Sequence, residues 1–536
     1  MTQAEQPSRV YRRLLALAAI LVIAFALRLL GLGWGLPNSQ HYFSYHPDEI
    51  FLLLPSFGFA QGDWNPHFFN YGTLYIYLVG LPALLLQIVP EAAQFPENLR
   101  ALYELGRGIT VGMGIATIAL LFAACGPRQW RLGLLAAALL AVCPLHAVNS
   151  AYATVDVPTA FWLTLAFLLA IRGAGQPTGR QAALVGLASG LAGATKYNAG
   201  LFIIPAILAP VLVQPRTWRW SWAASVIGGA ILGFALGCPF FWTEEFRRGL
   251  LFEVRHAQVG GTLAFVNTGN GWSYHLLRGL PTGLGYPMLA ALVLGTVGAV
   301  RLRWLPGRIS LLWCALYLVV IGFGKERFIR YLVLLLPFAA VLAAAGLGWL
   351  ASLARSARSL LGVGAIMAGI VGLTGLYAFE QTAPSALLDP RDYAWSQAES
   401  DVLAARPQAR VGLLEAPWYR DPPASPYNAG QFSRAMFEHW NRANGGRVVT
   451  TGWDTRALEA QKPDVFFLSD LESQDPVRLR RPEAIAFVSA LDGIYKDKIV
   501  FGRPDQAFSW LAPPRSWAPP DWLYQSPIIT MYYNPR

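Results

Sequence analysis

The segment Gly72-Thr73-Leu74-Tyr75-Ile76-Tyr77-Leu78-Val79-Gly80-Leu81-Pro82-Ala83-Leu84-Leu85-Leu86-Gln87-Ile88-Val89 decides the topology of this 536-residue chain. It is apolar enough to cross a bilayer, which takes about twenty residues. It also carries Pro82, ends at Pro90 and is interrupted by Gly72 and Gly80. Whether it crosses determines on which side every later loop falls. The other apolar candidates are the stretch Leu14–Leu36 and segments 104–125, 131–150, 155–171, 181–196, 197–213, 222–241, 281–300, 308–323, 328–350 and 359–379. Short loops rich in Arg and Lys belong in the cytoplasm. The clear ones are Pro127–Arg131, Arg172–Arg180, Arg216–Arg219, Arg301–Arg308 and Arg355–Arg358. If 72–89 crosses, all of them fall outside. If it does not, all fall inside together. The segment is therefore expected to be a juxtamembrane or re-entrant helix on the outer face, which leaves about eleven crossings.

Outward from that segment the chain divides in two. Charged residues make up 14% of the whole and hydrophobic ones 54%, whereas a soluble domain carries about 25% charged residues. The charge deficit is confined to residues 1–380, while 381–536 reads as an ordinary polar domain. The expected fold class is thus an α-helical polytopic membrane protein with a small α/β C-terminal domain. Arg9, Arg12 and Arg13 precede Leu14–Leu36, and no small-x-small cleavage site follows. This reads as an uncleaved first helix with its N-terminus in the cytoplasm and the C-terminal domain outside. The net charge of +11 does not point to nucleic acid: much of it lies in short interhelical loops, and no basic stripe is interleaved with aromatics. Cys125, Cys143, Cys238 and Cys314 lie in or beside apolar runs without metal-ligand spacing, as small core residues do. The pairs Gly108/Gly112 and Gly186/Gly190 suit close helix packing.

This topology leaves an unusual set of charges outside. Lys325, Arg327 and Arg330 cluster where few cations are expected, and Lys196 stands alone between two apolar runs. Ionisable residues near membrane depth mark functional sites, although long cationic side chains also snorkel to headgroups. Two acidic sites face them: His46-Pro47-Asp48-Glu49 in the outer loop 37–71, and Asp156 in Tyr152-Ala153-Thr154-Val155-Asp156-Val157-Pro158. Both also suit the start of a helix, Asp48 as an N-cap and Asp156 before Pro158. Carboxylates beside a dry cavity act as bases or hold a cation. Cations beside an apolar groove suit a lipid phosphate. Together they indicate transfer of a group from a lipid phosphate. His46, His67, His256 and His275 match no strong metal signature, and paired carboxylates leave a divalent ion open.

On these residues the chain resembles the GT-C membrane glycosyltransferases of the protein O-mannosyltransferase and aminoarabinose-transferase type (family 39 type). The resemblance rests on His46-Pro47-Asp48-Glu49, Gly62-Asp63-Trp64-Asn65-Pro66-His67-Phe68, Asn70-Tyr71 through Tyr77, the Asp156 loop, Thr195-Lys196-Tyr197-Asn198, and Arg330-Tyr331-Leu332 with Pro337. It covers most of residues 10–380. It implies a polyprenyl-phosphate sugar as donor and a lipid, glycan or protein as acceptor. It further implies inversion at the sugar carbon, and a multi-pass location in the cytoplasmic membrane. Asp48 takes the role of base, Glu49 completes the acidic pair, and Asp156 matches the second-loop aspartate. The substrate-binding set is His46, Tyr71, Lys196, His256, Lys325, Arg327, Arg330 and Tyr331, with Arg330-Tyr331 on the phosphate side. Relatives often carry a Lys-Pro-Pro-like motif where this chain has Asn70-Tyr71-Gly72, so that phosphate contact is either missing here or supplied by Lys196 or Lys325.

In the C-terminal domain Val411–Leu414 and Asp464–Leu468 read as buried strands, and 512–536 as an extended arm or edge strand. No catalytic motif lies there. A transporter or flippase for a lipid-linked or anionic substrate is the rival reading. An odd helix count, no internal repeat and ionisable residues gathered at one face speak against it.

Overall fold

The structure is a computed structural model of the chain and describes residues 7–88, 97–214, 219–387, 389–406, 408–502 and 507–534. All eleven apolar segments expected to cross are helical. Eight helices among the described residues are long and apolar enough to span a membrane. Pro127–Ala141 and Pro144–Ser150, bent by 61° at their junction, make a ninth span if taken as one. Gly179–Thr195, at 17 residues, and the apolar Tyr197–Val213 are shorter and account for the remaining two segments. These two are consecutive, so counting both or neither leaves the parity unchanged.

Leu74–Leu85 has 12 residues, about 18 Å of helix against roughly 30 Å of hydrocarbon. It is too short to cross, as the loop charges required. At the end of the bundle opposite the C-terminal domain the basic loops gather. The Arg13 guanidinium lies 4.8 Å from the Trp130 ring centroid, and Arg308 donates to Leu212 O at 2.9 Å. In the basic loop Arg216–Arg219, residues 216–218 lie outside the described residues, whereas Arg219 approaches Pro177 O at 3.5 Å.

Glycine decides one helix contact and not another. A Cβ on Gly186 or Gly190 would lie 2.0 Å from Val226 O or 2.1 Å from Ala230 O, so Gly179–Thr195 and Trp220–Gly237 approach backbone to backbone. Gly108 and Gly112 have nothing within 4 Å, and the close packing expected there does not occur. All four cysteines are free and buried.

The helix Ala357–Thr382 leads into the C-terminal domain. Its sheet has strands β1 (Val411–Leu413), β2 (Val448–Thr450), β3 (Val465–Ser469), β4 (Asp497–Phe501) and β5 (Ile529–Tyr533), in the order β2-β1-β3-β5-β4. β1 runs parallel to β2 and β3, and β5 antiparallel to β3 and β4. The expected edge strand in the tail is thus an interior one. Ile529 and Met531 are fully buried, and that apolar alternation draws the strand between β3 and β4. The domain sits firmly on the membrane part. Tyr42 N donates to Pro426 O at 2.8 Å, Trp34 Nε1 to Asp389 Oδ2 at 2.9 Å, and Asn428 exchanges hydrogen bonds with the Phe43 backbone.

Candidate active site

The short helix Glu49–Leu53 opens after Asp48 and continues as a 3-10 turn over Leu54–Gln61. Asp48 holds the N-cap position, but its side chain makes no capping hydrogen bond. It meets Arg330 instead, Oδ2 to Nη2 at 3.2 Å. Arg330 lies in the 3-10 turn Ile329–Leu335, which precedes the helix Leu336–Ser352. The first N–H groups of such a turn lack partners within it. Asp521 of the C-terminal domain supplies them, accepting from Ile329 N at 3.0 Å and Arg330 N at 3.1 Å. Burial pushes the Asp521 carboxyl up, opposed by the Arg330 guanidinium and these two N–H groups. The Arg330 side chain stacks 4.1 Å from the Phe328 ring centroid. Its Nη1 approaches Asp521 Oδ2 at 3.5 Å but has no hydrogen-bond partner among the described residues. A buried guanidinium with an unused N–H is ready to take an anion.

Asp48 and Arg330 line a cavity of about 640 Å³ together with Tyr71, His256 and Tyr331. The opposite wall comes from the C-terminal domain: Trp418, Tyr419, Arg420, Glu472 and Tyr524. A second cavity of about 370 Å³ adjoins it, lined by Leu250, Val254, Val320, Ile321 and Phe323, with Lys196 at the polar end. Asn70, Tyr71, Glu253 and Tyr331 line both. Lys196 Nζ lies 2.6 Å from Asp156 Oδ1 and 4.8 Å from the Tyr331 ring centroid. The two cavities thus share a wall, the smaller being the more apolar, with Arg330 lining the larger and Lys196 the smaller.

Several expected residues stand elsewhere. Glu49 does not join Asp48 as an acidic pair in the cavity. It is fully buried, and its carboxylate accepts from Arg107 at 2.7 and 2.8 Å, from Ala153 N at 2.7 Å and from Ser44. Burial raises its pKa, but Arg107 outweighs burial and holds the carboxyl below its usual range. Glu49 therefore ties the first loop to the loop at 152–157 and has no free lone pair for a substrate. Asp156 is the first residue of its helix, Asp156–Ala174, and caps nothing; its carboxylate is committed to Lys196 and lines neither cavity.

His46 is buried against Tyr152 and Tyr524, and its Nδ1 accepts from Asp48 N at 3.3 Å. Burial lowers its pKa, so a neutral ring orients the Asp48 turn from behind. Lys325 is exposed, and Arg327 donates to Thr268 Oγ1 at 2.8 Å. Neither lines either cavity. The intervening Glu326 is buried and accepts from Thr262 N and Oγ1, which turns its neighbours away. Of the two lysines expected to reach a donor phosphate, Lys196 lines one of the cavities and Lys325 lines neither.

Sequence reasoning missed Glu253, Asp521 and the C-terminal wall. Asp521 had one signal, a lone acid among Pro519, Pro520 and Trp522 in a tail rich in Pro and aromatics. Glu253 had none beyond its place in the long outer loop. Among the described residues no three His, Cys, Asp or Glu side chains converge on a metal position.

A family model described as dolichyl-phosphate-mannose-protein mannosyltransferase matches residues 107–242. ArnT from Cupriavidus metallidurans bound to undecaprenyl phosphate superposes with a TM-score of 0.52 at 15% identity, over 97% of this chain and 97% of that one. The chain has a GT-C fold. The same GT-C architecture relates it to the archaeal oligosaccharyltransferase AglB from Archaeoglobus fulgidus, in complex with an inhibitory peptide and a dolichol-phosphate. There the TM-score is 0.51 at 13% identity, over 95% of this chain and 76% of that one. No curated protein matches the chain by sequence. At these identities the likeness establishes the fold, a multi-pass membrane bundle carrying a C-terminal domain.

Proposed function

We propose that the chain is a membrane glycosyltransferase. It moves a sugar from a polyprenyl-phosphate donor to an acceptor hydroxyl, with inversion, at the outer face of the membrane. The observation that carries this reading is the junction of the two cavities. Arg330, buried and with an N–H unused among the described residues, lines the larger cavity, and Lys196 lines the more apolar one that shares a wall with it. A lipid phosphate needs that combination, a cation for its head and an apolar path for its chain. The known lipid-phosphate complexes of the same fold support it, and the basic loops at the opposite end of the bundle favour a cavity on the outer face.

In this reading the donor phosphate takes the Arg330 guanidinium, with Lys196 across the shared wall. Asp48 then gives up its 3.2 Å contact with Arg330. Released beside the cavity, its carboxylate accepts the proton of the acceptor hydroxyl. The hydroxyl oxygen attacks the anomeric carbon as the bond from that carbon to the phosphate oxygen breaks, and the electron pair leaves with the phosphate. One displacement inverts the centre. The acceptor enters along the wall formed by Trp418, Tyr419 and Arg420.

The test is sugar release from labelled polyprenyl-phosphate sugars by the purified protein in lipid, wild type beside Asp48→Asn. General-base catalysis contributes about 10²–10⁴-fold, so the variant should lose turnover by that factor while still binding donor. Retained turnover would remove Asp48 as the base. No turnover with any donor, alongside flux of a lipid-linked substrate in the same vesicles, would make the chain a transporter.

A further inference from the structure

The cations at the cavity junction are already neutralised. Lys196 is paired with Asp156 at 2.6 Å, and Arg330 lies between Asp48 at 3.2 Å and Asp521 at 3.5 Å. Glu253 is the acid left over. It lies on the helix Glu244–Val259, is half-buried, lines both cavities, and makes no hydrogen bond or ion pair among the described residues. An ionised carboxylate there would repel an arriving phosphate. A protonated one would instead donate a hydrogen bond from that wall.

We infer that Glu253 is a phosphate-binding residue: it carries a proton while the lipid phosphate occupies the junction and donates a hydrogen bond to a phosphate oxygen. This rests on the transferase reading of the site. Every charged group facing Glu253 acts in a known direction. Burial raises its pKa most, Lys196 and Arg330 oppose this, and Asp48 adds to it, for a value of about 7. The hydroxyls of Tyr71, Tyr197 and Tyr331 also face it. Glu326 lines the same groove but is held by Thr262, and His256 lies one turn along its own helix. A phosphate anion at the junction pushes the carboxyl further toward its neutral form. The group is thus poised to take up a proton as the lipid phosphate arrives and to weaken binding once ionised.

The test is the affinity of the purified protein for undecaprenyl phosphate between pH 6 and 9, for wild type, Glu253→Gln, Glu253→Asp and Arg330→Ala. The Gln amide donates a hydrogen bond at every pH. The ratio of wild-type to Glu253→Gln affinity should therefore fall with rising pH, approaching about tenfold per unit well above the carboxyl's pKa. Ionisation of the probe's own phosphate is common to both proteins and cancels in that ratio. Glu253→Asp, which still titrates, should keep the pH dependence. A ratio constant across the range would overturn the inference while leaving the donor site intact. Absence of binding by wild type at every pH would instead sink the transferase reading, and this inference with it. Arg330→Ala should bind weakly throughout.

Discussion

Asp48 is free to face the cavity because its neighbours are occupied. Glu49 is spent on Arg107, His46 is a neutral prop, and Asp48 itself declines the capping bond its position allows. Neighbours with such different duties should fail differently when changed. Arg107→Ala leaves a buried Glu49 charge unpaired and should cost about 3–5 kcal/mol. The double variant Glu49→Gln/Arg107→Met should cost clearly less, which thermal unfolding in detergent can check. The sign with pH follows from the depressed pKa of Glu49. Its stabilisation is present above the ordinary carboxylate pKa, about 4.3, and is lost as pH falls through the lower folded value. Glu49→Gln should therefore flatten the acid limb of the stability curve, and an unchanged acid limb would contradict the pairing. The motif His46-Pro47-Asp48-Glu49 was legible as a site, but not the division of labour within it. That division depends on Arg107, more than fifty residues away on a helix whose charge no local pattern connects to Glu49.

Helices and turns transmit the same lesson. The short, Pro-bearing segment 72–89 could be removed from the spans because loop charge and helix length are local properties. Which GxxxG face packs is not local, since it depends on where the next helix lies. Gly186→Ala should force Gly179–Thr195 away from Trp220–Gly237 and destabilise the protein. Gly108→Ala meets nothing and should be neutral or stabilising by up to about 1 kcal/mol through helix propensity. Paired melting curves decide this, and equal losses would contradict the packing. The turn Ile329–Leu335 depends on Asp521 for two backbone N–H groups. Asp521→Ala should thus weaken undecaprenyl phosphate binding through Arg330, without touching the lipid, and leave the Asp48 base in place. A loss of turnover with unchanged lipid affinity would argue against that route.

The whole molecule joins a membrane bundle to a domain that closes its cavity. The charge deficit of residues 1–380 sets the two parts apart in the sequence. The sequence did not show that the second part builds a wall of the site, because Trp418, Tyr419, Arg420 and Asp521 belong to no motif and reach the cavity only through the fold. The orientation expected from the basic loops puts them in the cytoplasm and the C-terminal domain outside. An impermeant thiol reagent on intact cells should therefore label a cysteine placed on the C-terminal domain and spare one placed at 127–131, and the reverse pattern would invert the topology. The central claim is that the polar cavity and the apolar groove form one donor site. The most direct measurement is an experimental structure of the protein with undecaprenyl phosphate. The account predicts phosphate density between Arg330 and Lys196, beside Glu253, with the chain along Leu250, Val254 and Phe323. A lipid phosphate bound elsewhere, with that junction empty, would contradict it.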